Sequence, residues 1–127
     1  MNRKKNRIVK HPVDIPAINN IFEKIPENLE DEYCENILKN KDFFLERIVT
    51  LGQTTPKETW LCEDTDEWVL LLSGSAKLLF KSDGYILTLI PGDHLTIPAG
   101  TNHRVEWTDP NAKTVWLALH YSTKGKD

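Results

Sequence analysis

From residue 43 onward the chain is cut into short apolar and β-branched runs, divided by Gly, Pro, Asp and Asn at close, regular spacing. The runs are Phe43–Leu51, Thr59–Cys62, Glu67–Leu72, Ala76–Phe80, Tyr85–Ile90, His94–Ile97, His103–Trp107 and Thr114–Tyr121. Between them stand turn-forming groups such as Ser82-Asp83-Gly84, Pro91-Gly92-Asp93, Pro98-Ala99-Gly100 and Asp109-Pro110-Asn111. Short strands with turn signals at this interval point to an all-β sandwich or barrel. No ten-residue helical pattern separates the runs, which excludes a parallel α/β sheet.

Several of these strands are apolar on both faces, notably Val69–Leu72, Ile86–Ile90 and Val115–Leu119. A strand of this kind needs cover on both sides. The barrel interior supplies one cover; the N-terminal segment or a second subunit supplies the other, so a homodimer is expected. Residues 1–42 read as an arm and helix packing on a barrel formed by residues 43–127. Pro12, Pro16 and Pro26 suit an extended arm, with a short helix around Ile18–Ile25. Leu29, Tyr33 and Ile37 recur at spacing four with acidic residues toward the N-terminal end, which predicts a helix over about Glu27–Lys39.

Charge and length exclude several functions. The 127 residues carry a formal net charge of −3, too acidic for a domain that binds nucleic acid through many phosphate contacts. The longest apolar run, Trp68–Leu72, is far too short to span a membrane. The basic start, Met1–Arg7, lacks the apolar stretch of a secretory signal. Cys34 and Cys62 do not make a disulfide framework; free thiols in a reducing cytoplasm are the expectation. No Gly-rich phosphate loop, nucleophile elbow or paired Cys-x-x-Cys occurs.

Two stretches carry a resemblance. The first is Glu67-Trp-Val-Leu-Leu-Leu-Ser-Gly74. The second is Gly92-Asp-His-Leu-Thr-Ile-Pro98-Ala-Gly100-Thr-Asn-His103. Their spacing, and the single hairpin between them, resemble the paired motifs of the cupin superfamily over roughly residues 43–121. The wording Asp66–Leu72, His103–Glu106 and Trp116–Tyr121 is similar to that of small bacterial single-domain cupins. The resemblance implies a cupin-type β-barrel, a jelly-roll-like double sheet. It also implies that Glu67 and His103 point into the barrel toward a divalent metal such as Zn, Fe, Mn or Ni.

The family pattern places two more histidines just before the glutamate. Counting back from Glu67 puts those positions at Trp60 and Cys62; one residue of slip gives Leu61 and Glu63 instead. Neither count yields histidine, and Trp107 stands at the last position of the second motif. Three arrangements follow. Cys62, Glu67 and His103 hold a metal with one open position. Alternatively, a metal-free barrel binds a small molecule between Trp60, Trp107 and a Glu67–His103 pair. In the third, His120, which shares strand parity with Trp116 and Ala118, faces inward as a replacement ligand.

The corresponding functions are a small-molecule-binding module, a metal-dependent dioxygenase or isomerase, and a structural or regulatory dimer. Glu63, Asp64 and Asp66 form an acidic loop at the barrel mouth, able to repel anions or attract cations. Arg47 or Arg104 is expected to pair with Glu46 or Glu106 on the face opposite the pocket. His94 is expected at the surface, and His11 has no evident partner.

Overall fold

A computed structural model describes residues 15–122. His11 and the basic N-terminal run lie outside them. The described residues hold eight strands and no helix. They are β1 (Tyr33–Lys39), β2 (Phe43–Thr50), β3 (Asp66–Ser73), β4 (Ala76–Phe80), β5 (Tyr85–Leu89), β6 (His94–Ile97), β7 (His103–Thr108) and β8 (Thr114–Tyr121). One sheet has the order β1-β2-β8-β3-β6 and the other the order β5-β4-β7. Every pairing is antiparallel.

The turn signals act where the spacing places them. Gly84 takes φ +70°, its N–H donates to Phe80 O, and the Asp83 carboxylate accepts from Tyr85 N, closing the β4–β5 hairpin. Between the sheets, Leu71, Ala76, Leu78, Leu89, Ile97 and Trp116 form the buried core.

The fold departs from expectation in two places. The helix over Glu27–Lys39 is absent, because Tyr33–Lys39 is a strand hydrogen-bonded to β2. The spacing-four pattern is equally a period-two pattern at Tyr33, Glu35 and Ile37. What decides is the turn at residues 40–42. Asn40 N–H donates to Phe43 O, and the Asn40 side chain accepts from Asp42 N and Phe43 N, which folds the segment back onto the open edge of β2. A single turn, closed by Glu23 N–H donating to Asn20 O, stands in place of the helix around Ile18–Ile25. The arm therefore does not run to residue 42; residues 33–39 are part of the sheet.

The second failure is the strand Thr59–Cys62, which is one isolated bridge between Leu61 and His103. Thr59 N–H is used in a turn to Pro56 O, and Glu58 adopts φ +64°. Both features bend the chain away from an extended ladder.

The outer face of β2 is covered from within the chain. Arg47, only 3% exposed, donates to the carbonyls of Ile21, Glu23 and Lys24 and pairs with Glu35. Gln53 donates to Leu29 O and Lys113 to Pro26 O. These polar contacts hold a segment without regular structure against an otherwise apolar surface.

Gly74 joins β3 to β4 at φ +84°, and a Cβ there would lie 2.5 Å from Thr114 Cα. Gly74→Ala should therefore lower stability by about 3 kcal/mol or more, from left-handed strain plus overpacking against backbone. Gly84 has a similar φ but open space around it, so Gly84→Ala should lose only about 1 kcal/mol. Equilibrium urea unfolding of the two variants measures the difference.

Candidate functional site

Register places a polar cluster at one end of the larger sheet. Cross-strand partners share a face, so Phe44, His120, Glu67 and Ile97 form one inward row across β2, β8, β3 and β6. The next row is Glu46, Ala118, Val69 and Leu95, and the third is Ile48, Trp116 and Leu71. From the facing sheet, β7 contributes His103 and Val105, and β4 contributes Leu78. Apart from Phe44, Leu71, Leu95 and Ala118, these side chains line a cavity of about 210 Å³, and Glu32, Cys34, Leu61 and Glu63 complete its lining.

His103 is 3% exposed. Its Nδ1 lies 2.8 Å from Thr101 O; a carbonyl only accepts, so Nδ1 carries the proton. Nε2 is thereby left to face Glu67 Oε1 at 3.6 Å. His120 is 7% exposed and stacks on Phe44 with ring centroids 4.2 Å apart. Its Nε2 stands 2.8 Å from Glu46 Oε2 and 3.8 Å from Glu67 Oε2. Glu67 thus lies between two imidazoles, and Glu46 holds the second from the other side.

Burial works to lower the pKa of both histidines, yet both are raised above the ordinary 6.5. At His103 the contact with Glu67, the Thr101 carbonyl and the nearby charges of Glu67 and Glu63 outweigh desolvation. At His120 the Glu46 hydrogen bond and the charges of Glu67, Glu46 and Glu63 do so. Cys34 is exposed as a residue, but loss of water around its thiol at the cavity wall, reinforced by Glu32 and then Glu46, pushes that thiol up to about 12. It is therefore a protonated thiol, donating to Glu32 Oε1 at 3.4 Å, and not a thiolate nucleophile.

Of the residues singled out by sequence, Glu67, His103 and His120 meet in the cavity, whereas Trp60, Cys62 and Trp107 do not line it. Leu61 bridges His103 and points in, so alternation sends Trp60 and Cys62 outward. Trp60 lies in a separate groove with Arg104 and Glu106, and Lys81 Nζ sits 5.7 Å from its ring centroid. Cys62 is exposed. Leu61 and Glu63, the slipped pair, are the residues that reach the cavity. Trp107 is turned out by a bulge: Lys77 pairs with Trp107 but Leu78 with Val105, so Glu106 is an extra residue. Trp107 is then 37% exposed beneath Lys77.

The donor set proposed for a metal is therefore not assembled. Cys62 is away from Glu67 and His103, and His120 Nε2 is engaged by Glu46. Among the described residues, no three His, Cys, Asp or Glu side chains form a group that could hold a metal ion.

Sequence reasoning placed Glu46 on the outer face, as a partner for arginine. Arg47 instead pairs with Glu35, and Arg104 pairs with Glu106 at 2.9 Å as expected. The alternation Phe44, Glu46, Ile48 was the available signal, since it puts Glu46 on the face of two apolar residues. His94 is exposed, where its Nδ1 accepts from the Trp68 indole at 3.3 Å.

A two-sheet β-barrel with an imidazole–carboxylate cavity between the sheets defines the class of protein. Comparison with solved structures places it. A candidate mannose-6-phosphate isomerase from Ralstonia eutropha JMP134 shares 39% identity and a TM-score of 0.81, covering 85% of this chain and 100% of its own. A cupin superfamily protein from Desulfitobacterium hafniense DCB-2 matches at TM-score 0.65 and 17% identity, over 77% of this chain and 84% of its own. A cupin-2 domain protein from Shewanella frigidimarina NCIMB 400 matches at 0.55 and 19%, over 70% and 79%. The last two show the fold alone. No family model and no curated protein matches the chain. The chain has the cupin fold, and it belongs to one family with the Ralstonia protein.

The raised imidazole pKa values fix a pH dependence. The stabilisation from the His contacts is fully present below pH 6.5 and is lost as pH rises through the native values. The gap in urea midpoint between wild type and His120→Gln should be wider at pH 6 than at pH 8.5. An equal gap at both would show that His120 does not titrate against Glu46 and Glu67.

Proposed function

We propose that this cupin binds a small molecule in the cavity bounded by Glu67, His103 and His120, without a resident metal. One observation carries the reading. Two nearly buried imidazoles and the carboxylates of Glu46 and Glu67 converge on a cavity whose apolar walls include Ile48, Val69, Leu78, Ile97, Val105 and Trp116. A concave apolar chamber with a few converging polar groups is the usual form of a ligand site. At about 210 Å³ it suits a metabolite smaller than the ligands of typical 300–1,000 Å³ pockets.

The substrate in the name of the Ralstonia relative is not carried over to this chain. It bears a phosphate, and a buried phosphate is ordinarily matched by Arg or Lys. No Lys or Arg side chain lines this cavity, and four carboxylates do. The exposed, unpaired Cys34 and Cys62 support a reducing, cytoplasmic setting. The described residues contain no helix long and apolar enough to cross a membrane. Exposed apolar residues on the smaller sheet's edge, Tyr85, Ile86 and Ile90, support the homodimer; a monomer by light scattering at micromolar concentration would remove it.

Thermal unfolding in the presence of fractionated small metabolites tests the binding reading. A ligand at about one hundred times its Kd stabilises the wild type by roughly 2.7 kcal/mol, and the Glu67→Gln/His103→Gln double variant should lose that shift. A shift retained by the variant would place the ligand elsewhere. Elemental analysis of protein purified without added metal should find far less than one equivalent. Near-stoichiometric metal that disappears in Glu67→Ala/His103→Ala would overturn the metal-free reading.

A further inference from the structure

The outer face of the larger sheet specifies how two copies of the chain meet, an inference that rests on the homodimer proposed above. Where residues 21–29 cross this face, the outward side chains are buried: Arg47, Val49 and Val115 are each 3% exposed or less. The cover stops there. Leu38, Leu45, Leu119 and Trp68 make one outward row across β1, β2, β8 and β3, and the cross-strand pair Leu117 and Leu70 stands beside it. Leu38 is 55% exposed and the other five are only half-buried. The inward residues that alternate with them on β8 and β3 between Trp116 and His120 and at Val69 and Leu71 are buried. A contiguous strip of six large apolar side chains on a sheet face marks a contact surface.

The chemistry of the strip selects its occupant. None of its six side chains is charged, and of the charged groups beside it, Arg47 is paired with Glu35 and Asp66 accepts from Ala99 N. A two-fold axis that sets strip against strip therefore opposes no unpaired like charges, although the whole chain carries −3. The Trp68 indole N–H already donates to His94 Nδ1 at 3.3 Å, so closing the strip over that ring orphans no donor. Residues 1–14 are unsuited to the same place. They carry Arg3, Lys4, Lys5, Arg7 and Lys10 against three aliphatic side chains, Ile8, Val9 and Val13. Laying that run on a charge-free strip would desolvate cations without partners.

We infer that the homodimer closes through this strip, larger sheet against larger sheet, about a two-fold axis. β8 and β3 carry His120 and Glu67 on their inner faces, so the interface lies directly behind the cavity.

The test uses the full chain. Sedimentation velocity gives its mass over a micromolar dilution series. ¹⁹F spectra of protein labelled with 5-fluorotryptophan, with and without a soluble gadolinium chelate, show which rings meet solvent at each concentration. The Trp68 resonance, assigned by its loss in Trp68→Phe, should be shielded in the dimer and broaden as dilution releases monomer. Trp107, exposed on the other sheet, should broaden throughout. Leu70→Thr/Leu117→Thr keeps strand propensity and should raise the dimer dissociation constant about a hundredfold, because each change counts once in each copy. Ile86→Thr, on β5, should leave that constant unchanged.

A dimer in which Trp68 still broadens overturns the inference while the homodimer stands. So does a dimer weakened by Ile86→Thr and not by the double variant, which would join through the smaller sheet's edge. A monomer at every concentration removes the homodimer and this interface together; Trp68 shielded in that monomer would make residues 1–14 the cover. If the double variant does not fold, the dilution series on the unchanged protein decides alone.

Discussion

Two imidazoles and two carboxylates share one desolvated end of the barrel, and the rest of the fold is arranged around that fact. Buried charge is tolerated only where it is paired. The pairing here is written into the ladder. His120 stands directly opposite both Phe44 and Glu67, and one diagonal step from Glu46. One strand therefore supplies a ring whose face is covered by Phe44 and whose Nε2 meets two carboxylates. His103 arrives from the other sheet, its tautomer set by Thr101 O, and closes the cluster on the far side of Glu67.

β2 shows how a single strand serves two environments. Of its inward residues, Glu46 and Ile48 line the cavity and Phe44 backs His120, while its outward Arg47 is buried beneath residues 21–24. Arg47 gives the irregular segment before β1 a charged donor for its carbonyls, which no apolar side chain could supply. The outer cover thus holds through polar contacts, while the inner face stays free to shape a chamber. Because β2 joins β8 directly, anything that loosens the outer cover also disturbs the strand that carries Glu46.

The sequence made the barrel legible because its turns are chemically marked. Ala76–Phe80, His94–Ile97 and Thr114–Tyr121 occupy the residues that period and punctuation assign to them. At Glu67 and His103 the site was legible through the spacing of the family motif, whereas His120 stood as one of three arrangements, because its strand is apolar on both faces and parity does not choose between them. The reading failed where alternation is broken by features that composition does not reveal. A bulge at Glu106 rotates Trp107 outward, and the turn at 56–59 shifts by one residue which side chains reach the cavity. β1 was misread for a different cause. Its residues satisfy both the helical and the extended period, and only pairing with the open edge of β2 selects between them.

Stability alone does not account for the cluster. A buried ion pair seldom contributes more than well-packed apolar residues of similar volume, and often less, because both partners give up hydration. The barrel has apolar residues to spare: the third inward row, Ile48, Trp116 and Leu71, shows what the first row would be if packing were its only role. Instead the first row pairs His120 with Glu67 beside an open space. A polar cluster that packing does not require, set against a chamber, supports the proposed reading of that chamber as a binding site. On that reading the groups that weaken the empty barrel are the ones that recognise its occupant.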